Sequence, residues 1–213
     1  MQAIDRTAID TLGIPRLLLM DHAGLAVFRA VRRLAPNPTA CVAVCCGTGF
    51  NGGDGLATAR HLHRAGYALH VLVAGRVERL REEPATFARI LQRLGVELYE
   101  CLTAEDAEAA GPRLDESAVL IDALLGIGTE GAVREPIASL IERMNRAGKP
   151  IVAADIPSGL DGDTGRVQGG AVRATVTVTF GLPKRGCLIA EGPAHTGKLV
   201  VDPITMPRSL LVP

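Results

Sequence analysis

Short apolar runs alternate with amphipathic stretches along most of the chain. Cys41-Val42-Ala43-Val44-Cys45-Cys46, Ala118-Val119-Leu120-Ile121 and Ile151-Val152-Ala153-Ala154 are nearly continuous in apolar character, and each is too short for an independent helix. They predict strands buried on both faces. A further strand is expected near 69–74, a short one at Val96-Glu97-Leu98-Tyr99, an alternating one at 174–180, and an edge strand at Lys198-Leu199-Val200-Val201-Asp202. Helical spacing fills the intervals. Ile4, Ala8 and Leu12 share one face of a helix that Gly13 can end. Pro15 opens a second helix to about Leu34, with Met20, Ala23, Val27, Val31 and Leu34 inward and Arg29, Arg32 and Arg33 off that face. Leu56, Ala59 and Leu62 define a helix from about Gly53 to Ala65. Leu80, Phe87, Ile90, Leu91 and Leu94 define another, with Pro84 near its start and Gly95 at its end. Residues 103–117 are small and acidic and read as a short helix and a loop, and Pro136 to Ala147 reads as a helix with Ile137, Leu140, Ile141 and Met144 inward.

Alternating buried strands and helices predict an α/β fold: a mostly parallel sheet with helices on both faces. Two helices precede the first strand, one pair more than a plain doubly wound unit needs. No repeat or low-complexity linker interrupts residues 1–213, which are expected to form a single domain.

In such sheets ligands bind beyond the carboxyl ends of the strands, so the polar residues there matter most. After the first strand comes Gly47-Thr48-Gly49-Phe50-Asn51-Gly52-Gly53-Asp54-Gly55. Strand, glycine loop, helix is the layout of an anion cradle, and Gly47-x-Gly49-x-x-Gly52 matches a dinucleotide fingerprint. Two features depart from the usual version. The second strand ends in Ala74-Gly75-Arg76, with no acid to hold a ribose, and Asp54 sets a carboxylate where a pyrophosphate would meet like charge. Other strand ends carry Asp122, Asp155 followed by Ser158, and Lys184. Any one of these could be a cap or turn residue; together at one edge they indicate a site. Asn51, Asp122 and Ser158 offer the oxygen ligands a hard cation prefers. Asp155 and Lys184 are the acid–base candidates. Ser158 has no readable base partner, which disfavours serine hydrolysis. His61 and His63, two apart on a helix, diverge and cannot share a metal.

Composition narrows the classes. The 213 residues are 47% apolar with formal net charge zero, and they include no Trp, two Tyr and four Phe. Sequence-independent binding to nucleic acid needs surplus positive charge, and base stacking needs aromatics, so a nucleic-acid partner is not expected. Five cysteines, an odd number with three in or beside one apolar strand, read as reduced core residues. No run reaches the ~20 residues of a membrane span and the N-terminus lacks a signal-type apolar core. The expectation is a cytoplasmic protein with no membrane partner.

These motifs together resemble one family. Gly47–Gly55, the loop Asp122–Gly131, Ala154-Asp155-Ile156-Pro157-Ser158-Gly159-Leu160-Asp161 with Asp163-Thr164-Gly165, and Thr177-Val178-Thr179-Phe180-Gly181-Leu182-Pro183-Lys184 are similar to the YjeF N-terminal domain, the NAD(P)H-hydrate epimerases. Asp5-Arg6, Gly13-Ile14-Pro15 and Met20-Asp21-His22-Ala23-Gly24 fit that family's leading helices. The resemblance implies a Rossmann-like three-layer α/β/α sandwich, often dimeric. It implies a substrate that is NADH or NADPH hydrated at nicotinamide C6, and a reaction that interconverts the two epimers there so that a separate dehydratase can restore the cofactor. It implies a potassium ion at Asn51, Asp122 and Ser158. It also implies substrate contacts at Phe50, Asn51, Gly52, Gly53, Asp54, Gly126, Ile127, Gly128, Thr129, Glu130, Gly131, Ala132 and Asp155, with Asp155 and Lys184 as catalytic residues. The family usually carries two asparagines before Gly-Gly-Asp; here the first is Phe50. Where the family tends to end on Asp-Ile-Gly-Ile-Pro, this chain has Asp202-Pro203-Ile204-Thr205-Met206-Pro207. The same fold also occurs as a non-catalytic nucleotide-binding or dimerisation module, which is the alternative reading. An ordinary NAD-dependent dehydrogenase is disfavoured by the end of the second strand and by Asp54.

Overall fold

The computed structural model describes residues 2–128 and 131–211. Its frame is one sheet of seven strands: β1 (Cys41–Cys46), β2 (Ala68–Ala74), β3 (Leu98–Cys101), β4 (Val119–Ala123), β5 (Ile151–Ala154), β6 (Val176–Phe180) and β7 (Lys198–Asp202). They lie in the order β3-β2-β1-β4-β5-β6-β7, and every pairing is parallel. The chain runs outward from β1 to β3, then returns to β1's other side and runs outward again from β4. The crevice between β1 and β4 is therefore the switch point, where a doubly wound sheet opens for a ligand.

Helices cover both faces. In chain order they are α1 (Gln2–Arg6), α2 (Arg16–Leu34), α3 (Phe50–Arg64), α4 (Glu82–Arg93), α5 (Ala104–Ala109), α6 (Gly111–Glu116), α7 (Ile137–Arg146), α8 (Gly192–Thr196) and α9 (Arg208–Leu211). The period of two along β1 sorts its side chains. Val42, Val44 and Cys46 pack with Val27, Leu56, Leu62 and Leu91 beneath α2, α3 and α4. Ala43 and Cys45 pack with Leu114, Leu140 and Met144 beneath α6 and α7. Cys45 and Cys46 thus face opposite layers, as their adjacency predicts, and all five thiols are free.

Four local expectations are corrected. The first helix widens over Thr7–Thr11, where Leu12 N–H reaches back five residues to the Thr7 carbonyl at 3.1 Å. The wider turn breaks the helical spacing on which the inward face was read, leaving Ala8 buried while Leu12 is 49% exposed. The third strand begins at Leu98 rather than Val96, because Val96 N–H closes the end of α4 on the Leu91 carbonyl at 3.0 Å. Residues 103–117 form two short helices, the first opened by a reciprocal cap: Asp106 N–H donates to Thr103 Oγ1 and Thr103 N–H to Asp106 Oδ2. Most consequential for the site, α3 starts at Phe50, three residues earlier than its apolar spacing indicates.

That early start explains the glycines. A Cβ on Gly52 would lie 1.9 Å from the Gly47 carbonyl oxygen, so the helix can begin tight against the strand only with no side chain there. The same holds where α3 crosses α2: a Cβ on Gly24 would approach the Ala57 backbone to 2.7 Å. Gly24→Ala should therefore lower the melting temperature by about 4–8 °C, from roughly 2 kcal/mol of overpacking, although alanine is the better helix former by about 1 kcal/mol. Thermal unfolding followed by circular dichroism measures this, and a rise in melting temperature would contradict the close crossing.

Candidate functional site

A cleft of about 680 Å³ opens at the carboxyl ends of the central strands. Its walls are the start of α3 (Thr48, Gly49, Phe50, Asn51, Asp54), the loop after β4 (Leu124 to Gly128), and the N-terminal segment with Asp5, Arg6 and Arg16. Asp155, Phe180 and Lys184 also line it. The structure thus brings the glycine loop, the loop after β4, Asp155 and Lys184 to one place, as the strand-end argument expects. Gly52 and Gly53 lie behind the wall, packed on the Gly47 carbonyl and on Met20. Gly131 and Ala132 are not among the lining residues; Ala132 approaches Gly169, and Val133 N–H bonds the Gln168 carbonyl at 3.0 Å. Thr129 and Glu130 lie outside the described residues.

Beneath the cleft, Asp122 has no exposed surface. It sits in the middle of the sheet, paired in register with Cys45 on β1 and Ala153 on β5. Its Oδ1 accepts from Ser158 Oγ at 2.5 Å and Leu124 N–H at 3.3 Å, and its Oδ2 accepts Ser158 N–H at 2.8 Å. Burial pushes this carboxyl up to about 6, and the three hydrogen bonds limit the rise. Ser158 Oγ in turn accepts Leu125 N–H at 2.8 Å, and Asn51 Nδ2 donates to the Leu125 carbonyl at 2.8 Å. Asn51, Asp122 and Ser158 are therefore linked through Leu125. Among the described residues, Asn51 Oδ1 is buried with no hydrogen-bond partner, an arrangement that costs about 1–3 kcal/mol unless a ligand supplies one. Amide, carboxylate, hydroxyl and main-chain oxygens converge here with one amide oxygen left over, which fits an oxygen-loving cation. No cluster of three His, Cys, Asp or Glu capable of holding a metal occurs among the described residues.

Asp155 follows β5 in the left-handed conformation, φ +66°, a region that side chains other than glycine adopt only when the surroundings hold them. Here they do: its N–H donates to the Val178 carbonyl at 2.7 Å, and its Oδ1 accepts Phe180 N–H at 3.0 Å and Thr179 Oγ1 at 3.4 Å. Lys184, itself buried, pairs with the same Oδ1 and donates to the Phe180 carbonyl at 2.9 Å. Among the described residues, all of the Asp155 side-chain bonds fall on Oδ1, leaving Oδ2 without one in a residue that lines the cleft. Asp54 shares the cleft, and burial, with Asp155's charge adding to it, pushes its carboxyl well above the usual carboxylate range. Burial thus works against the negative charge that the sequence places in the cradle.

Phe50, half exposed at the cleft mouth, has the Arg16 guanidinium over its ring at 4.6 Å from the centroid. Arg16 is held by Glu82 at 2.7 Å. Sequence reading missed this partner because 34 positions separate the two residues and neither carries a local signal. It also gave Asp5 no role of its own. Asp5 is half buried in the cleft, its carboxyl raised mainly by that burial and lowered again by Lys184. Asp161, in the Asp-Gly-Asp-Thr-Gly string, builds its own turn: Oδ1 accepts Thr164 N–H at 2.7 Å, Thr164 Oγ1 at 2.8 Å and Asp163 N–H at 3.1 Å. His61 and His195 are structural, with His61 packed on Phe28 and His195 Nδ1 2.9 Å from the Val172 carbonyl.

Residues 16–186 match the family model described as YjeF-related protein N-terminus. The chain is 44% identical over 209 residues to the "Bifunctional NAD(P)H-hydrate repair enzyme Nnr" of Pyrobaculum aerophilum, covering 97% of this chain and 41% of that protein. It is 39% identical over 201 residues to the "NAD(P)H-hydrate epimerase" of Limosilactobacillus fermentum, covering 94% of this chain and 92% of that protein. The crystal structure of yeast ynu0 superposes with a TM-score of 0.83 at 28% identity, covering 98% of this chain and 88% of the yeast chain. The chain spans about two fifths of the length of the bifunctional relatives it matches.

The Asp122 carboxyl carries a pH signature. Its value in the fold, about 6, lies above its ordinary 3.8. The protonated form is favoured by folding, so the associated stability is fully present below the lower value and is lost as pH rises through the higher one. In potassium-free buffer, the stability of the wild type relative to Asp122→Asn should fall by up to about 3 kcal/mol between those two pH values. Denaturant unfolding across that range measures it, and a flat difference would contradict the assignment.

Proposed function

Because the chain belongs to the YjeF-related protein N-terminus family, we propose that it interconverts the two C6 epimers of hydrated NADH and NADPH. The observation that carries this reading is the pair of Asp155 and Lys184 in a cleft walled by the start of a helix at the switch point of the sheet. The free N–H groups of that helix start suit a nucleotide's phosphate. Gly126, Ile127 and Gly128 line the opposite wall. Asp54 and Asp5 also line the cleft, and burial raises both carboxyls above the ordinary carboxylate value.

Epimerising a carbon that bears both a hydroxyl and the ring nitrogen requires breaking and remaking one of those two bonds. Either route moves a proton at the hydroxyl oxygen. Asp155 Oδ2, which has no partner among the described residues, moves that proton, and it returns it when the bond reforms on the other face. Lys184, tied to Asp155 Oδ1 and the Phe180 carbonyl, fixes the carboxylate's direction and stabilises an oxyanion beside it. Asn51, Asp122 and Ser158, with the Leu125 carbonyl, are the residues that would hold potassium. The ion would supply a fixed positive charge beside the ligand. A hydrated-cofactor dehydratase is the proposed functional partner, in line with the bifunctional repair enzymes among the relatives. A homodimer belongs to the same reading, supported by the exposed Leu12, Leu17 and Leu18 near the chain's start.

The test mixes purified protein with the separated epimers and follows their exchange by chromatography. Exchange should be much faster than the spontaneous rate, and it should fall by about 100-fold or more in both Asp155→Ala and Asp155→Asn. The second variant keeps the shape where the first leaves Lys184 unpaired. No acceleration by the wild type, or wild-type rates in a folded Asp155 variant, would contradict the reading. Potassium chloride should raise the melting temperature above that in sodium chloride of equal ionic strength, and Asn51→Ala should remove the difference. An equal melting temperature in both salts would argue against the ion.

A further inference from the structure

A second pocket of about 350 Å³ lies beside the main cleft, at the carboxyl ends of β1, β2 and β3. It is lined by Thr48, Ala74, Gly75, Arg76, Arg79 and Leu102. Thr48 lines the main cleft too, so the two share a wall at the start of α3.

Its charge is one-sided. Arg76 and Arg79 make no side-chain hydrogen bond or salt bridge among the described residues, although other arginines nearby do. Arg81 donates to the Glu78 and Leu80 carbonyls at 2.7 and 3.0 Å, and Arg16 pairs with Glu82. The acid of the adjoining strand, Glu100, accepts Val77 N–H at 2.7 Å. Two guanidinium forks therefore line a pocket with no anion assigned to them, and that fork matches the oxygens of a phosphate.

The position in the fold says which phosphate. In a doubly wound sheet of order 3-2-1-4, the end of the second strand reads the adenosine ribose: an acid there takes the free 2′-hydroxyl, and an arginine nearby takes a 2′-phosphate. Here that strand ends in Ala74-Gly75-Arg76. Gly75 has φ +137°, and a Cβ on it would lie 2.8 Å from Thr48 Cγ2, so an acidic side chain at that point would be strained and would have to displace Thr48. The reach is also right. Asp155 follows β5, three strands from β2, or about 14 Å at ~4.8 Å per strand. An extended dinucleotide laid across the switch point spans such a distance.

We propose that this pocket seats the adenosine 2′-phosphate through Arg76 and Arg79, and so makes hydrated NADPH the preferred substrate over hydrated NADH. The inference rests on the nucleotide reading of the main cleft. It places the reacting ring toward Asp155 and Lys184, the diphosphate past Thr48 and the start of α3, and the adenosine over the end of β2.

Two measurements separate this inference from the reading beneath it. The first is steady-state epimerisation of both hydrated cofactors by the wild type and by an Arg76→Ala, Arg79→Ala double variant. The wild type should prefer the phosphorylated cofactor by about tenfold or more, the scale of one charge-assisted contact. The double variant should lose the preference through KM for hydrated NADPH, not through kcat. Equal KM values in the wild type, or an equal rise for both substrates in the variant, would overturn the pocket assignment and leave the epimerase reading standing. The second is calorimetric binding of 2′,5′-ADP against 5′-ADP to the same proteins. Tighter binding of 2′,5′-ADP, lost in the double variant, supports the pocket even if neither hydrated cofactor is epimerised, an outcome that would overturn the epimerase reading alone. Equal binding of the two nucleotides overturns the pocket.

Discussion

A carboxylate with no exposed surface holds the centre of this molecule together. Asp122 stands in the fourth strand between the first and the fifth, and both of its oxygens are taken by hydrogen bonds from the loops that follow the central strands. Through Ser158 it fixes the segment that begins with Asp155, and through Leu124 and Leu125 it fixes the wall opposite the third helix. Burying such a group is unfavourable unless its partners are in place, so the two loops are effectively set in one geometry relative to each other. Asn51 then joins the arrangement from the third element, by one bond to Leu125. The consequence is a cleft whose three walls come from distant parts of the chain and share one polar base.

On that base the chemistry separates into two places. One is the oxygen cluster of Asn51, Asp122 and Ser158, where a buried amide oxygen lacks a partner among the described residues. The other is Asp155 with Lys184, where strained backbone and several donors fix one carboxylate oxygen, while its mate has no partner among the described residues. The first cluster has the character of a binding site, with little freedom to move. The second has a proton-bearing pair at the edge of a sizeable cavity. Backbone strain of this kind is tolerated only where neighbouring structure holds it, and the pairing of the fifth and sixth strands provides that here.

Much of this was legible in the sequence, and the failures have definite physical causes. Continuous apolar runs marked the buried strands because strands covered on both faces have no polar side to show. Their carboxyl ends point to Asp122, Asp155 and Lys184 from the sequence alone. The glycine stretch was harder. Glycines read as loop because their usual value is conformational freedom, whereas Gly52 serves close approach inside a helix that has already begun at Phe50. Tertiary packing overrode local propensity there. The cap at Thr103 was readable, since a threonine with an acid three residues on is a known helix start, and it was passed over. The stack of Arg16 on Phe50 was not readable at all. It is a contact between remote positions, and it gives Phe50 a side-chain partner at the mouth of the cleft where the family usually has asparagine.

In the proposed reaction the reacting carbon sits against Asp155 and Lys184. The most direct measurement is a crystal structure of the protein with the hydrated cofactor bound. The C6 hydroxyl is expected within about 2.6–3.2 Å of Asp155 Oδ2 or Lys184 Nζ, with the nucleotide passing the start of the third helix. A hydrated ring bound away from both side chains, or with its C6 face turned from them, would contradict it.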